Sequence, residues 1–408
     1  MENVVIVGAS LAGGQAAQTL RRSGFDGQLT LIGDEAHRPY DRPPLSKGYL
    51  AGTFDEDRLW LRSVADPDAL GLTLRLGVGA VGLALNPEQP GGEVELADGS
   101  AVAFDGLIIA SGARAREIPG QPRLDGVHLV RTLDDAQDLR RAFEGDPQRV
   151  VVIGCGFVGT EVAATAREKG LEVTLIDSAS APLSRVLDAD AGMAVADLHR
   201  GHGVDVRLNV GVSRLVSDDA GRVQAVELND DAGTVIPADV VVVGIGVVPN
   251  TEWLEGSGLQ VDDGVVVDEY CVAAPGVVAA GDVARWPQQR FGGRLARVEQ
   301  WDNAVEMGGH AAKNLLALSQ GETATTFDPV PWFWSDQYDR KIQLAGIPSN
   351  NVALLWGAIE DQQFVQAYLD DDGTAVGVLT WNRPRQAMLG RQMVASGASL
   401  EELQEKLG

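Results

Sequence analysis

Two short segments of this chain have residue types and spacing suited to holding phosphate: Gly8-Ala-Ser-Leu-Ala-Gly13 and Gly154-Cys-Gly-Phe-Val-Gly159. A glycine turn that opens a helix lets the backbone approach a pyrophosphate, which then sits at the positive end of the helix. The second segment has all three glycines, Gly154, Gly156 and Gly159, whereas Ser10 takes the middle position of the first. Acids follow near the offset of about 20 residues that ribose recognition requires. They are Asp34 and Glu35 after the first turn and Asp177 after the second. One such motif alone is often an ordinary loop, but two in the same context predict two dinucleotide sites. Asp177 ends a strand, where a carboxylate accepts from both ribose hydroxyls and repels a 2′-phosphate. No Arg or Lys occurs from Ser178 to Ser184, so NADH is expected over NADPH; Arg185, the next cation, either caps the adenosine or is solvated.

The stretch Pro39-Tyr-Asp-Arg-Pro-Pro-Leu-Ser-Lys47 is stiffened by prolines. Its lysine either presents an ammonium to a flavin or is solvated on a rigid surface loop. Ala110-Ser-Gly112 and Gly281-Asp282 follow buried-strand patterns, the first as a crossing point between domains, the second as a carboxylate for a sugar hydroxyl or a simple turn. Thiol chemistry lacks its reactive pair: there is no CxxC, Cys155 fills a small-residue place in a glycine turn, and Cys271 has no partner nearby. No metal site is expected from the five histidines, and His199 and His202, at i and i+3, read as surface.

The elements that must position these groups are legible as periodicity. Val4–Val7, the first glycine turn, a helical stretch over Gly14–Ser23 and Leu29–Ile32 form one strand–turn–helix–strand run. Val150–Ile153, the second turn, Thr160–Lys169 and Glu172–Ile176 repeat it. Each is the sequence form of a right-handed βαβ unit in a parallel sheet. Glu93–Leu96 and Val102–Phe104 flank Asp98-Gly99 as a hairpin, Leu107–Ala110, Val223–Leu228, Val240–Gly244 and Gly276–Ala280 are further strands, and Glu299–Leu316 is a helix. Beyond about residue 325, short strands carrying Trp332, Trp334, Trp356 and Trp381 and a last helix over Leu400–Leu407 suggest a third, smaller domain. The fold class is therefore α/β, with two Rossmann-type domains and a small α+β C-terminal domain.

Composition narrows the function. At 408 residues the chain suits two or three domains. Its 33 basic and 58 acidic residues leave a net charge of −25, which repels nucleic acid and chiefly serves solubility. The longest apolar runs fall short of the roughly 20 residues a bilayer requires. Met1 leads almost directly into a strand, with no leader pattern, so a cytoplasmic location is expected.

Taken in order, Gly8–Gly13, Arg42-Pro-Pro-Leu-Ser-Lys47, Gly154–Glu161, Gly244-Ile-Gly-Val-Val-Pro-Asn250, Gly281-Asp282 and Trp332-Phe-Trp-Ser-Asp-Gln337 resemble the oxygenase-coupled NADH-dependent ferredoxin reductases over essentially the whole chain. The resemblance implies an FAD domain of residues 1–108 and 242–320, an NADH domain of 109–241 and a C-terminal domain of 321–408. It implies FAD contacts at Gly8, Ala12, Gly13, Asp34, Glu35, Arg42, Lys47, Val81, Ala110, Gly112, Arg131, Gly281, Asp282 and Trp301. NADH contacts would fall on Gly154, Gly156, Phe157, Gly159, Glu161, Asp177, Arg185 and Gly246. Lys47 would lie by flavin N5, paired with Glu161, and Trp301 and Trp334 would face the electron acceptor or serve only as core. The implied partner is a two-iron two-sulfur ferredoxin feeding an oxygenase or cytochrome P450, with Arg297, Arg340, Lys341, Arg383 and Arg385 as candidate docking cations. Two rivals stay open: reduction of rubredoxin or a small quinone, and a redox-switched interaction protein like apoptosis-inducing factor.

Overall fold

The computed structural model describes residues 1–408. Its α-helices are α1 (Leu11–Arg22), α2 (Gly48–Ala51), α3 (Leu133–Glu144), α4 (Phe157–Glu168), α5 (Ala189–Gly201), α6 (Trp301–Ser319), α7 (Pro384–Ser396) and α8 (Leu400–Leu407). Two compact units are present, one of residues 1–41, 57–114 and 248–331, the other of 42–56, 115–247 and 332–408. The expected third domain is therefore grouped with the segment carrying the second glycine turn.

The first unit is built on a six-stranded sheet whose central strand is Asn3–Val7, flanked by Gln28–Ile32 and Gly106–Ile109, both parallel to it. Val4, Val5, Ile6 and Val7 are almost completely buried, as a run of β-branched residues covered on both sheet faces must be. The first strand runs to one neighbour through α1 and to the other by a long excursion, so its carboxyl end lies at a topological switch point, the usual place for a ligand crevice. Smaller three-stranded layers, including the expected hairpin with its third strand Ala80–Leu85, complete the unit.

In the second unit a five-stranded parallel sheet repeats the plan, with Arg149–Ile153 between Glu172–Ile176 and Val240–Val243. The unit also holds a five-stranded antiparallel sheet of residues 332–381, edged by Trp332–Gln337 on one side and Asn351–Ala358 on the other. One face of that sheet presents Phe333, Ile342, Leu344, Phe364, Tyr368 and Trp381 to Leu183, Val195 and Leu198 in a shared apolar core. Both glycine-turn helices begin earlier than their polarity pattern predicts, at Leu11 and Phe157 rather than Gly14 and Thr160. The reason is packing: the third glycine of each motif lies inside the first helical turn, where a missing side chain lets the helix close against the preceding strand.

Candidate functional site

Gly8 ends its strand with φ +122°, and a Cβ there would lie 1.9 Å from the carbonyl oxygen of Ala110. At Gly13 a Cβ would come within 2.0 Å of the Gly8 carbonyl oxygen. Both glycines are thus forced by backbone meeting backbone. Ala12 is held just as closely, since a Cβ on Gly308 would meet its carbonyl oxygen at 2.4 Å and one on Gly281 its methyl at 2.9 Å. The structure in this way gathers Gly8, Ala12, Gly13, Ala110 and Gly281 around the start of α1. Ser10, the N-cap, makes no side-chain cap, and the first turn holds no acid. That leaves the leading N–H groups of α1 available to an anion, whereas α3, α5 and α8 are capped by Thr132, Asp188 and Ser399. These are the features an FAD pyrophosphate needs.

Around this cradle, Asp34 Oδ1 accepts from the Glu35 N–H at 3.0 Å, and Glu35 accepts from the Tyr40 hydroxyl. Gly112 (φ +63°) marks the strand exit: its carbonyl accepts from Asn250 N at 3.0 Å, and Ser111 Oγ donates to Asn250 O at 2.8 Å. Asp282 sits half-buried in the 3₁₀ turn Gly281–Val283. Trp301 donates from Nε1 to Asp41 Oδ1 at 2.7 Å and is 36% exposed. Val81 is exposed on its three-stranded layer.

The second turn repeats the forced positions. A Cβ on Gly154 would sit 2.3 Å from the Gly244 carbonyl oxygen, and one on Gly159 1.9 Å from that of Gly154. Gly156 differs, because a Cβ there would meet nothing closer than 3.9 Å. The protein itself does not demand glycine at the middle position, which explains why serine is tolerated at residue 10. α4 likewise starts without a side-chain cap or a first-turn acid. Asp177 grips the turn: its Oδ2 accepts from Cys155 N at 2.6 Å and its Oδ1 from Ala179 N at 2.8 Å. Lone pairs remain on both oxygens for ribose hydroxyls. Arg185, exposed, faces Gly246, where a Cβ would lie 3.5 Å from the guanidinium. A nicotinamide dinucleotide fits this donor and acceptor set.

Lys47 lies between the 3₁₀ turn Pro43–Ser46 and the short helix α2, and its ammonium meets Glu161 Oε1 at 2.9 Å. Its side chain is 20% exposed and that of Glu161 6%. The solvated-loop reading of Lys47 is therefore wrong. Glu161 also accepts from Ser46 Oγ at 2.6 Å on Oε2 and from Ser335 Oγ at 2.8 Å on Oε1. A buried carboxylate with three donors is a stable arrangement; without them it would be strongly unfavourable. Sequence reasoning misses Ser46 and Ser335. The signal for Ser335 is its place on the same strand face as Phe333, a polar residue where an apolar one is expected.

Arg42 donates from Nη1 to the Arg131 carbonyl oxygen at 2.7 Å, so these two predicted contacts come together in the same unit as Lys47. Phe157 packs edge-on to Phe333 with ring centroids 4.7 Å apart, and Trp334 lies beside Trp332 at 5.2 Å. Other expectations are corrected. His199 is fully buried, not on the surface; burial pushes it down to about 4, opposed by its bond to Gln337, so it is neutral. His202 is exposed but stacked on Tyr338 with centroids 3.7 Å apart. Arg297 is no docking cation: its side chain is 8% exposed and held by Glu299 at 2.6 Å and Asp263 at 3.3 Å. Lys341 is paired with Asp336, Arg340 with Asp339, and Arg383 lies 3.5 Å over the Trp356 ring. Cys155 and Cys271 are free and buried; burial, and secondarily a nearby aspartate, raises both thiols far above their ordinary value, which makes them poor nucleophiles.

Comparison with known proteins agrees with this geometry. Residues 2–308 match the pyridine nucleotide-disulphide oxidoreductase family and residues 332–405 the reductase C-terminal family. The chain is 40% identical over 400 residues to rhodocoxin reductase of Rhodococcus erythropolis, covering 97% of this chain and 90% of that one. It is 36% identical over 403 residues to the ferredoxin–NAD(+) reductase component of the p-cumate 2,3-dioxygenase system of Pseudomonas putida, covering 98% and 95%. Its fold superposes on putidaredoxin reductase, as seen in a covalent complex with putidaredoxin, with TM-score 0.90 and 34% identity over 100% of this chain and 96% of that one.

Proposed function

From the premise that this chain belongs to the pyridine nucleotide-disulphide oxidoreductase family, we propose that it is an FAD-dependent NADH–ferredoxin reductase serving an oxygenase or cytochrome P450. FAD, when bound, would supply the redox chemistry: hydride acceptance from NADH and single-electron release to an iron–sulfur protein. The protein's own residues bind, orient and tune. Gly8, Ala12 and Gly13 hold the FAD pyrophosphate at the start of α1, with Asp34 or Glu35 on its ribose and Asp282 on a sugar hydroxyl. Gly156 and Gly159 hold the NADH pyrophosphate, with Asp177 on the ribose and Arg185 and Gly246 beside it. Lys47 places positive charge at the flavin, and Glu161 holds Lys47 in place. No side chain is asked to act as nucleophile, in keeping with two inert thiols.

The single observation that carries this reading is the pairing of half-buried Lys47 with buried Glu161, joined at 2.9 Å in a chain that also has two uncapped glycine-turn helices. A two-iron two-sulfur ferredoxin is the acceptor, by analogy with the putidaredoxin complex and with the dioxygenase component named above. The FAD domain is assigned to residues 1–108 and 242–320, the NADH domain to 109–241, and the C-terminal domain to 321–408. No helix is long and apolar enough to cross a membrane, and we place the enzyme in the cytoplasm.

The test is spectroscopic. The purified chain should carry a yellow flavin that NADH bleaches within seconds and ferredoxin re-oxidises. Ferredoxin is expected to turn over faster than rubredoxin or a small quinone. A colourless preparation reconstituted with FAD to no effect, or a flavin that NADH leaves oxidised, would sink the proposal.

A further inference from the structure

We infer that Ser335 and Gln337 are positioning residues for the Lys47–Glu161 pair, acting through a one-directional hydrogen-bond chain that starts at Tyr338 and passes through buried His199. The inference rests on the reductase reading above and deepens it.

The strand Trp332–Gln337 alternates, so Phe333, Ser335 and Gln337 share its buried face. Ser335 and Gln337 are both fully buried, as are Thr160 and His199, to which Gln337 is bonded. The direction of each bond follows from counting protons. Thr160 Oγ1 donates to the Gly156 carbonyl oxygen at 2.9 Å, and Ser335 Oγ donates to Glu161 Oε1 at 2.8 Å. With their only protons committed, both hydroxyls can act toward Gln337 only as acceptors. The amide must therefore turn its NH₂ to them, and Nε2 lies 3.0 Å from Thr160 Oγ1 and 3.1 Å from Ser335 Oγ. That leaves Oε1 facing His199 Nε2 at 3.0 Å, which must be the protonated nitrogen. His199 Nδ1 is then the acceptor for the Tyr338 hydroxyl at 3.2 Å.

Every link consequently points the same way: Tyr338 to His199, His199 to Gln337, Gln337 to Ser335, Ser335 to Glu161. Aligned bonds polarise one another, and this series ends on the carboxylate oxygen that also takes Lys47 Nζ at 2.9 Å. A branch leads from the same glutamine through Thr160 to the carbonyl of Gly156, the middle glycine of the second turn. One strand far downstream of α4 (Ser335 and Glu161 are 174 positions apart) thus sets both the glutamate that holds Lys47 and the turn expected to hold NADH. If Gln337 served only to glue sheet to helix, its loss would lower stability without touching the flavin.

The experiment uses the full-length, FAD-loaded protein with Ser335→Ala, Gln337→Met and the double substitution. It reads the rate at which saturating NADH bleaches the flavin, the NADH dissociation constant from the same traces, and the flavin midpoint potential against a reference dye. Ser335→Ala should slow bleaching about 3- to 10-fold, a part of the roughly 10- to 150-fold worth of a hydrogen bond to a charged group because Glu161 keeps Ser46 and Lys47 as donors, with the dissociation constant within about twofold. It should also shift the potential, and Ser335→Thr, which keeps the hydroxyl, should restore both. Gln337→Met should slow bleaching about 2- to 5-fold, and at saturating NADH the double variant no further than Ser335→Ala alone, because the glutamine reaches Glu161 through the serine; the Thr160 branch should show only in the NADH dissociation constant. Unchanged rates and potentials, or losses that multiply in the double variant, overturn the inference while the reductase reading stands. If NADH fails to bleach even the unsubstituted protein, the reductase reading falls and takes this inference with it.

Discussion

The two strand–turn–helix–strand repeats share one backbone plan and differ in what they place upon it. In both, the first and third glycines are dictated by carbonyl oxygens 1.9–2.3 Å from where a Cβ would sit. At the middle position the repeats part: Gly156 has open space around it, and Ser10 occupies the matching place. They part again after the second strand. The first repeat has Gly33, where a Cβ would lie 2.6 Å from the Ala9 methyl, so its acids are displaced to Asp34 and Glu35. The second has Asp177 itself, reaching back to the Cys155 N–H at 2.6 Å. On the helices, Thr160 and Glu161 of α4 are buried polar residues, where α1 has Gly14 and Gln15. Positions held by backbone contact fix the fold, and positions left free of it carry the chemistry.

That distinction can be broken most severely at a forced glycine. Gly13→Ala should abolish flavin binding and cost on the order of 4 kcal/mol or more, read by denaturant titration, since backbone would have to move. Gly156→Ala, by contrast, should leave the melting temperature nearly unchanged and raise only the NADH Michaelis constant. Comparable losses of stability in the two variants would erase the contrast.

Acid should sharpen it next, by acting on the second unit through His199. Its folded pKa of about 4 lies below its unfolded value of about 6.5, so the unfolded state binds more protons between those values. Stability from neutral His199 is thus fully present above about pH 6.5 and lost as pH falls toward 4. The loss is on the order of 3 kcal/mol, and a His199→Gln variant should show a flatter profile over that window. Equal slopes for the two proteins would remove His199 as the cause.

Lys47→Met probes the chemistry that the first repeat lacks. With Lys47 at the flavin, as proposed, removing its charge should slow NADH bleaching about 100-fold, with flavin content preserved. A rate within a few-fold of the starting protein would assign Lys47 a purely structural part. The smallest effect is expected at the ribose acids. Asp177→Asn should weaken NADH about 10-fold and narrow its advantage over NADPH by a similar factor, in steady-state kinetics with both cofactors. Asp34→Asn, at an exposed carboxylate, should change FAD retention far less. Reversal of that order would mean the first repeat grips its ribose with Asp34 after all.

Periodicity and glycine spacing are sufficient to reveal both repeats, the parallel sheets and the strand ends at Gly112 and Gly281, because buried parallel strands read as continuous apolar runs whatever surrounds them. The Lys47–Glu161 partnership is legible only through resemblance, since nothing local to either residue says that they meet across 114 positions (Lys47 to Glu161). Spacing misplaces His199 on the surface because its relation to His202 is local, while its burial is produced by a sheet formed from residues 332–381. Arg297 misleads for the same reason, its charge being consumed by Asp263 and Glu299.

What the amino-acid order determined by itself is the pair of nucleotide cradles, because strand burial, glycine sterics and helix ends are properties of contiguous segments. What only the tertiary structure decided is which side chains complete the Lys47 anchor. Apart from the bond between Gln337 and Ser335, which are neighbours on one strand face, Ser335, Gln337 and His199 act by hydrogen bonds whose partners lie more than 130 residues away, and a bond's direction and worth exist only once both ends are buried together.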